Sequence, residues 1–117
     1  KDTGRSPNYY DGIFTGDLGY IGKEILMENA LLKGYNVKNN YNDCGVLMFD
    51  REAQDTHSGG SGCACAATIF SGYLYTQLKQ RKLKKILLIP TGALTNSTTA
   101  QQGESIPGIA HAVSIEV

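Results

Sequence analysis

The chain carries no net charge, because eleven basic residues cancel eleven acidic ones. Without an excess of cations there is no basic face to track phosphates, and without an acidic field nothing draws in basic partners, so nucleic acid is not an expected partner. Long apolar runs are missing as well. None approaches the roughly 20 residues that a membrane-spanning helix needs, and the opening KDTGRSPNYYDG has nothing like the apolar core of a signal peptide. The chain therefore reads as soluble. Cysteine is scarce and odd in number. Cys63 and Cys65 are too close in sequence for a relaxed bridge to each other, so a disulfide scaffold is not expected, and with Cys44 they read as reduced, intracellular thiols. There are no internal repeats or low-complexity tracts. The first residue is not methionine, and the opening is polar and turn-rich around Pro7, which suggests a fragment of a longer chain.

What is present suits a modest globular core: 117 residues, 41% of them hydrophobic, enough for a single domain over 1–117. In DGIFTGDL, Ile13 and Phe14 form a short apolar run closed by Gly16, the pattern of a buried strand leaving into a loop. Over 22–33, with Ile21 just ahead, the residues Ile21, Ile25, Leu26, Ala30 and Leu31 recur near helical spacing, and Gly34 follows as a C-terminal cap. The polar YNVKNNYND is turn-prone and CGVLMFD makes a second short apolar run, read as a strand with Asp43 in the turn before it. Further on, Ala66, Ile69, Phe70, Tyr73, Leu74 and Leu78 follow the i, i+3, i+4 rule, and the basic KQRKLKK sits where a helix C-terminus favours cations. KKILLIPTGA then reads as a buried strand, LTNSTTAQQGESIPGI as a long loop of functional interest, and AHAVSIEV as a closing strand. Strands alternating with helices indicate an α/β class.

The densest stretch in chemistry is DTHSGGSGCACAATIF, residues 55–70. Gly59, Gly60, Ser61 and Gly62 free the backbone for tight turns, and Ser61 is placed to cap the helix that follows, which would aim amide donors at a carboxylate or phosphate. The spacing matches neither nucleotide-loop pattern, G-x-x-x-x-G-K-[ST] or G-x-G-x-x-G. The competing reading is a small-residue helix face over 62–67 that lets another backbone come close. Metal binding is not expected, since Cys44, Cys63, Cys65, His57 and His111 stand at no zinc-finger spacing. A thiol beside His57 would suit a nucleophile, but a buried cysteine is also a common small core residue. Asp17 in TGDLG lies just past a strand end, where α/β proteins hold ligands, and Asp43 and Cys44 lie in NDCG; both carboxylates are equally at home as turn or cap residues. His111, in the closing strand, reads as a hydrogen-bonded core histidine.

Taken in order, TGDLG, NDCG, GGSGCACAA, LIPTGAL and QQGESIPGIAHAV cover nearly the whole chain and closely resemble the C-terminal part of the stage V sporulation protein AD family of endospore-forming bacteria. That family is similar in fold to thiolases and ketoacyl synthases, which implies two α/β halves, each with a mixed five-stranded sheet, stacked helix against helix. The resemblance implies that this chain is most of the second half, with the GCACAATIF helix at the centre of the stack. A helix covered on both sides there would, alone, leave an apolar face and a possible homodimer. Condensing enzymes of that fold take a histidine after a strand and an amide in a Gly-rich turn from this half; here those places carry Gly16 and Asp17, and Gly60. A carboxylate would repel a developing oxyanion. The resemblance thus implies a catalytically retired protein that binds dipicolinic acid or its calcium chelate, as the soluble part of a membrane complex that moves it into the developing spore, inside the cell and peripheral to the inner spore membrane. Its partners would be dipicolinic acid and the other proteins of that complex. The expected ligand residues are Asp43 first, with its neighbours Asn42 and Cys44, then Asp17, Gly59, Gly60 and Ser61; no catalytic residue, protein-bound metal or cofactor is expected, and calcium would arrive with the ligand. Two other readings stand beside it: an active thiolase-like acyltransferase using Cys44 or a cysteine outside this fragment, and a scaffold that docks membrane partners.

Overall fold

The computed structural model describes residues 3–60, 62–90, 92, 98, 101–105 and 108–117. Among the described residues four strands form one sheet: β1 (Gly12–Thr15), β2 (Tyr41–Asp43), β3 (Lys85–Ile89) and β4 (Val113–Glu116), in the order β2-β1-β3-β4. β1 pairs in parallel with both β2 and β3, and β4 closes the edge antiparallel to β3. The sheet is mixed, and the chain is α/β.

Side chains alternate across this sheet as strand geometry requires. Phe14, Ile86 and Leu88 face one core, together with Cys65, Ile69, Leu74 and Leu78, while Ile13, Leu87 and Ile89 face a second core with Tyr10, Val37 and Tyr41. Each face is covered by helix. α1 (Gly19–Leu32) lies over the second core through Leu26, Met27 and Ala30. The first core is covered by a long helix assembled from α4 (Cys65–Ile69), a π-helical segment (Phe70–Leu74) and α5 (Tyr75–Lys79). Two short helices, α2 (Cys44–Leu47) and α3 (Arg51–Gln54), fill the crossover between β2 and the glycine-rich loop. None of the described helices is long and apolar enough to cross a membrane.

Several sequence expectations change here. The apolar CGVLMFD is helix rather than strand from Cys44, and the strand lies just before it, over Tyr41–Asp43. Asp43 ends that strand in extended conformation and accepts from the Gly45 amide, which starts a helix where hydrophobicity alone suggests a strand. In α1 the residues Ile21, Ile25 and Leu31 point outward, with Ile21 64% exposed, because this helix is apolar on both sides and spacing does not say which side meets the sheet. The C-terminal signal at Gly34 holds: its φ of 83° is left-handed and its amide donates to the Leu31 carbonyl at 2.9 Å. Tyr73 is 46% exposed, not core. In the π segment Ile69 and Leu74 stand five positions apart, so the wider turn brings Leu74 back onto the sheet and swings Tyr73 off it. His111 stands before β4 and is exposed, so it is no core histidine. Half of the long loop expected over 94–109 lies outside the described residues.

Candidate functional site

Parallel pairing of β1 with β2 sets Thr15 opposite Asp43 and so brings two strand ends and their following turns together. The Asp43 side chain is fully buried, 0% exposed. Its Oδ2 accepts from Thr15 Oγ1 at 2.6 Å and from the Leu18 amide at 3.0 Å, and its Oδ1 accepts from the amides of Gly19 and Gly45, both at 2.9 Å. Four donors fill the acceptor sites of one carboxylate. Asp43 therefore ties the first turn of α1, the start of α2 and the end of β1 into one junction. Thr15 Oγ1 lies also 2.8 Å from the buried hydroxyl of Tyr41.

The glycine-rich loop seats against the same junction through backbone. Gly60 donates to the Gly45 carbonyl at 2.7 Å, Tyr20 donates to the Ser58 carbonyl at 2.6 Å, and Gly62 donates to Asp17 Oδ2 at 3.0 Å. A Cβ at Gly45 would run into the Gly60 carbonyl oxygen, and one at Gly19 into that of Ser58. At Gly59, where φ is 110°, it would come within 2.8 Å of the Gly45 oxygen. Of the two readings of this loop, close backbone approach describes it, and the approach is made by Gly19, Gly45, Gly59 and Gly60 rather than by the helix face over 62–67. On that face Cys63, Ala64 and Ala67 are exposed and Cys65 is buried. The amides of Gly59, Gly60, Gly62 and Cys65 are each donated within the chain. Ser61 lies outside the described residues, and α4 starts at Cys65 with Ala64 before it and no side-chain cap.

The remaining expected residues divide between inside and rim. Asn42 is half-buried and its Oδ1 accepts from Lys23 Nζ at 2.9 Å. Cys44 is 0% exposed, and burial, with the Asp43 charge adding to it, pushes its thiol up to about 12. A thiol held in that form near neutral pH is a poor nucleophile. Burial raises Cys65 too. His57 is exposed at the rim, with its Nδ1 3.2 Å from Asp55 Oδ1. Among the described residues no group of three or more His, Cys, Asp or Glu side chains is arranged to hold a metal ion.

Beside the junction opens a cavity of about 600 Å³ lined by Tyr20, Ile21, Arg51, Glu52, Asp55, His57 and Ser58. The Arg51 guanidinium stands 4.6 Å over the Tyr20 ring, a cation on an aromatic face. Sequence reasoning did not single out Tyr20, Arg51 or Glu52. Arg51 opens α3 behind the Asp50 cap, and nothing in the spacing links it to Tyr20 at the start of α1. Only the seating of the glycine loop on α1 brings them together.

Comparison with known proteins follows the same boundaries. A family model described as Stage V sporulation protein AD (SpoVAD) matches residues 1–116. The stage V sporulation protein AD of Bacillus subtilis (strain 168) is 40% identical over 116 residues, which is 99% of this chain and 34% of that relative. The chain thus spans about a third of the length of the relative it matches.

Proposed function

The chain belongs to the stage V sporulation protein AD family and so has a role in sporulation; from that premise we propose that it forms one wall of a binding site for dipicolinic acid or its calcium chelate, in a non-enzymatic protein of thiolase-like fold. The observation that carries the reading is the use of the strand-end groups. Where a condensing enzyme of that fold would offer a histidine and an amide, this chain has Gly16 with Asp17 and Gly60, and Asp17 and Gly60 are bonded to the glycine loop and to Gly45. Cys44, the thiol nearest the junction, is sealed in the core. Reactive groups are replaced by braces, which favours holding a ligand over transforming one.

The adjoining cavity supplies the chemistry for a planar dianion. Arg51 offers a charge-assisted donor and Tyr20 a flat apolar face, while Glu52 and Asp55 would repel a bare dicarboxylate and favour one bridged by calcium. Asp17, Asn42, Gly59 and Gly60 belong to the junction beside that cavity rather than to its lining, and Asp43 and Cys44 are buried within the junction. The protein acts as the soluble member of a membrane complex at the inner spore membrane, with the exposed face of the α4–α5 helix meeting the rest of the protein or a second copy. The test is titration of the full-length protein with dipicolinate, with and without calcium, against Arg51→Ala and Asp17→Asn. Loss of about tenfold or more in Arg51→Ala supports the cavity. Unchanged affinity removes it from the site, and no binding by the wild type in either condition leaves the scaffold reading ahead.

A further inference from the structure

Between α1 and the sheet, on the side away from the long helix, lie two cavities of about 320 Å³ and about 230 Å³ whose linings share Thr15, Leu26 and Ile89. They adjoin at those three residues, one reaching Gly108–Ala110 and the other Tyr10 and Tyr35. Both are clefts open to the surface, and the larger is within the roughly 300 to 1,000 Å³ that ligand sites commonly occupy. The described walls are mainly apolar, and their polar groups include the Tyr41–Thr15 hydroxyl pair at the inner end and Arg5 and Ser6.

Counting protons gives that pair a direction. Asp43 accepts from Thr15 at 2.6 Å, and a carboxylate only accepts, so the single hydroxyl hydrogen of Thr15 is spent there. The 2.8 Å contact between Thr15 Oγ1 and Tyr41 Oη is then made by the tyrosine hydrogen. Burial pushes the Tyr41 phenol up to about 12, so it keeps that hydrogen at neutral pH. What remains at Tyr41 Oη is acceptor capacity alone. Arg5, the one charged residue among the described lining residues, is 2.8 Å from Glu116 Oε1 and 3.0 Å from Ser114 Oγ, so its charge is already partly balanced and draws an anion less strongly.

We propose that this space is a second binding site, for a small uncharged and mainly apolar molecule with one hydrogen-bond donor, such as an aliphatic alcohol, whose hydroxyl donates to Tyr41 Oη. It is separate from the Arg51 cavity and does not depend on dipicolinate binding. The probes are n-hexanol, n-octanol, their methyl ethers and octanoate, each titrated into the full-length protein and read by calorimetry and by chemical shifts of the methyl groups of Leu26 and Ile89. Saturable binding is expected, with n-octanol about fifteenfold tighter than n-hexanol from two further methylenes. The alcohols bind about fivefold more tightly than their methyl ethers. In Tyr41→Phe that preference disappears while ether affinity stays as in the wild type, an outcome a merely structural tyrosine would not produce, and Leu26→Trp, which fills the space, removes binding of both. Octanoate matching n-octanol, with the binding lost in Arg5→Gln, would overturn the proposal in favour of an anion site. An alcohol preference that survives Tyr41→Phe, or no saturable binding of either alcohol, would also overturn it.

Discussion

Replacing Asp43 separates a brace from a ligand contact. In Asp43→Asn the amide oxygen can keep the Gly19 and Gly45 amides, which meet Oδ1 at 2.9 Å, but the new NH2 group faces Thr15 and the Leu18 amide, both of which donate to Oδ2 now. Thr15 can turn to accept, with its second lone pair still free for the Tyr41 hydroxyl; the Leu18 N–H cannot. One buried donor is orphaned and the charge assistance of the others is lost, a cost of about 2 to 4 kcal/mol. Asp43→Ala orphans all four donors at a position with 0% exposure and should cost about 5 kcal/mol or more, a large part of the stability of an ordinary domain. The assay is chemical denaturation of the full-length protein and both variants, with dipicolinate titrated into the folded fraction of each. The denaturation midpoint is expected to fall at unchanged slope, in the order wild type, Asn, Ala, with ligand affinity of folded Asn protein within about twofold of wild type. An Asn variant as stable as wild type would refute the bracing account. So would a tenfold loss of affinity with stability intact, which would put the carboxylate against the ligand.

Gly45→Ala should destabilise by about 2 to 3 kcal/mol, since its Cβ meets the Gly60 carbonyl, a backbone atom held in place by its own junction, and thermal melting of the variant checks this. Leu74→Ala, at 0% exposure, should cost about 3 to 5 kcal/mol and Tyr73→Ala under about 1; the opposite order would mean that the π segment does not set the helix phase. Maleimide labelling at neutral pH should modify exposed Cys63 in the native protein and reach Cys44 and Cys65 only on unfolding. Alkaline pH should destabilise the fold. The Cys44 thiol ionises near 9.0 when unfolded and near about 12 when folded, so the unfolded state loses its proton first and stability falls as pH rises between those values. Tyr41, raised from 10.0 to about 12, acts in the same direction, and a flat stability profile over that range would contradict the burial of both.

Local pattern carried much of this protein. The short apolar runs of Ile13 with Phe14 and of KILLI mark strands because a strand covered on both faces needs apolar side chains on each, and Gly34 marks a helix end because only the left-handed conformation closes it there. The order of short motifs was enough to point to the family, which the match over residues 1–116 bears out. What the sequence did not determine is everything that depends on partners distant in the chain. Ile21 and Leu26 are equally apolar, and only docking on the sheet turns Leu26 in and Ile21 out. The π turn that exposes Tyr73 answers to the sheet beneath it, not to helix spacing. Asp43 in NDCG is an ordinary turn residue on paper. It becomes the hub of the junction because parallel register sets Thr15 beside it and α1 delivers the Leu18 and Gly19 amides to its oxygens. A carboxylate's role is set by the donors that surround it, and those donors are assembled only when the chain has folded.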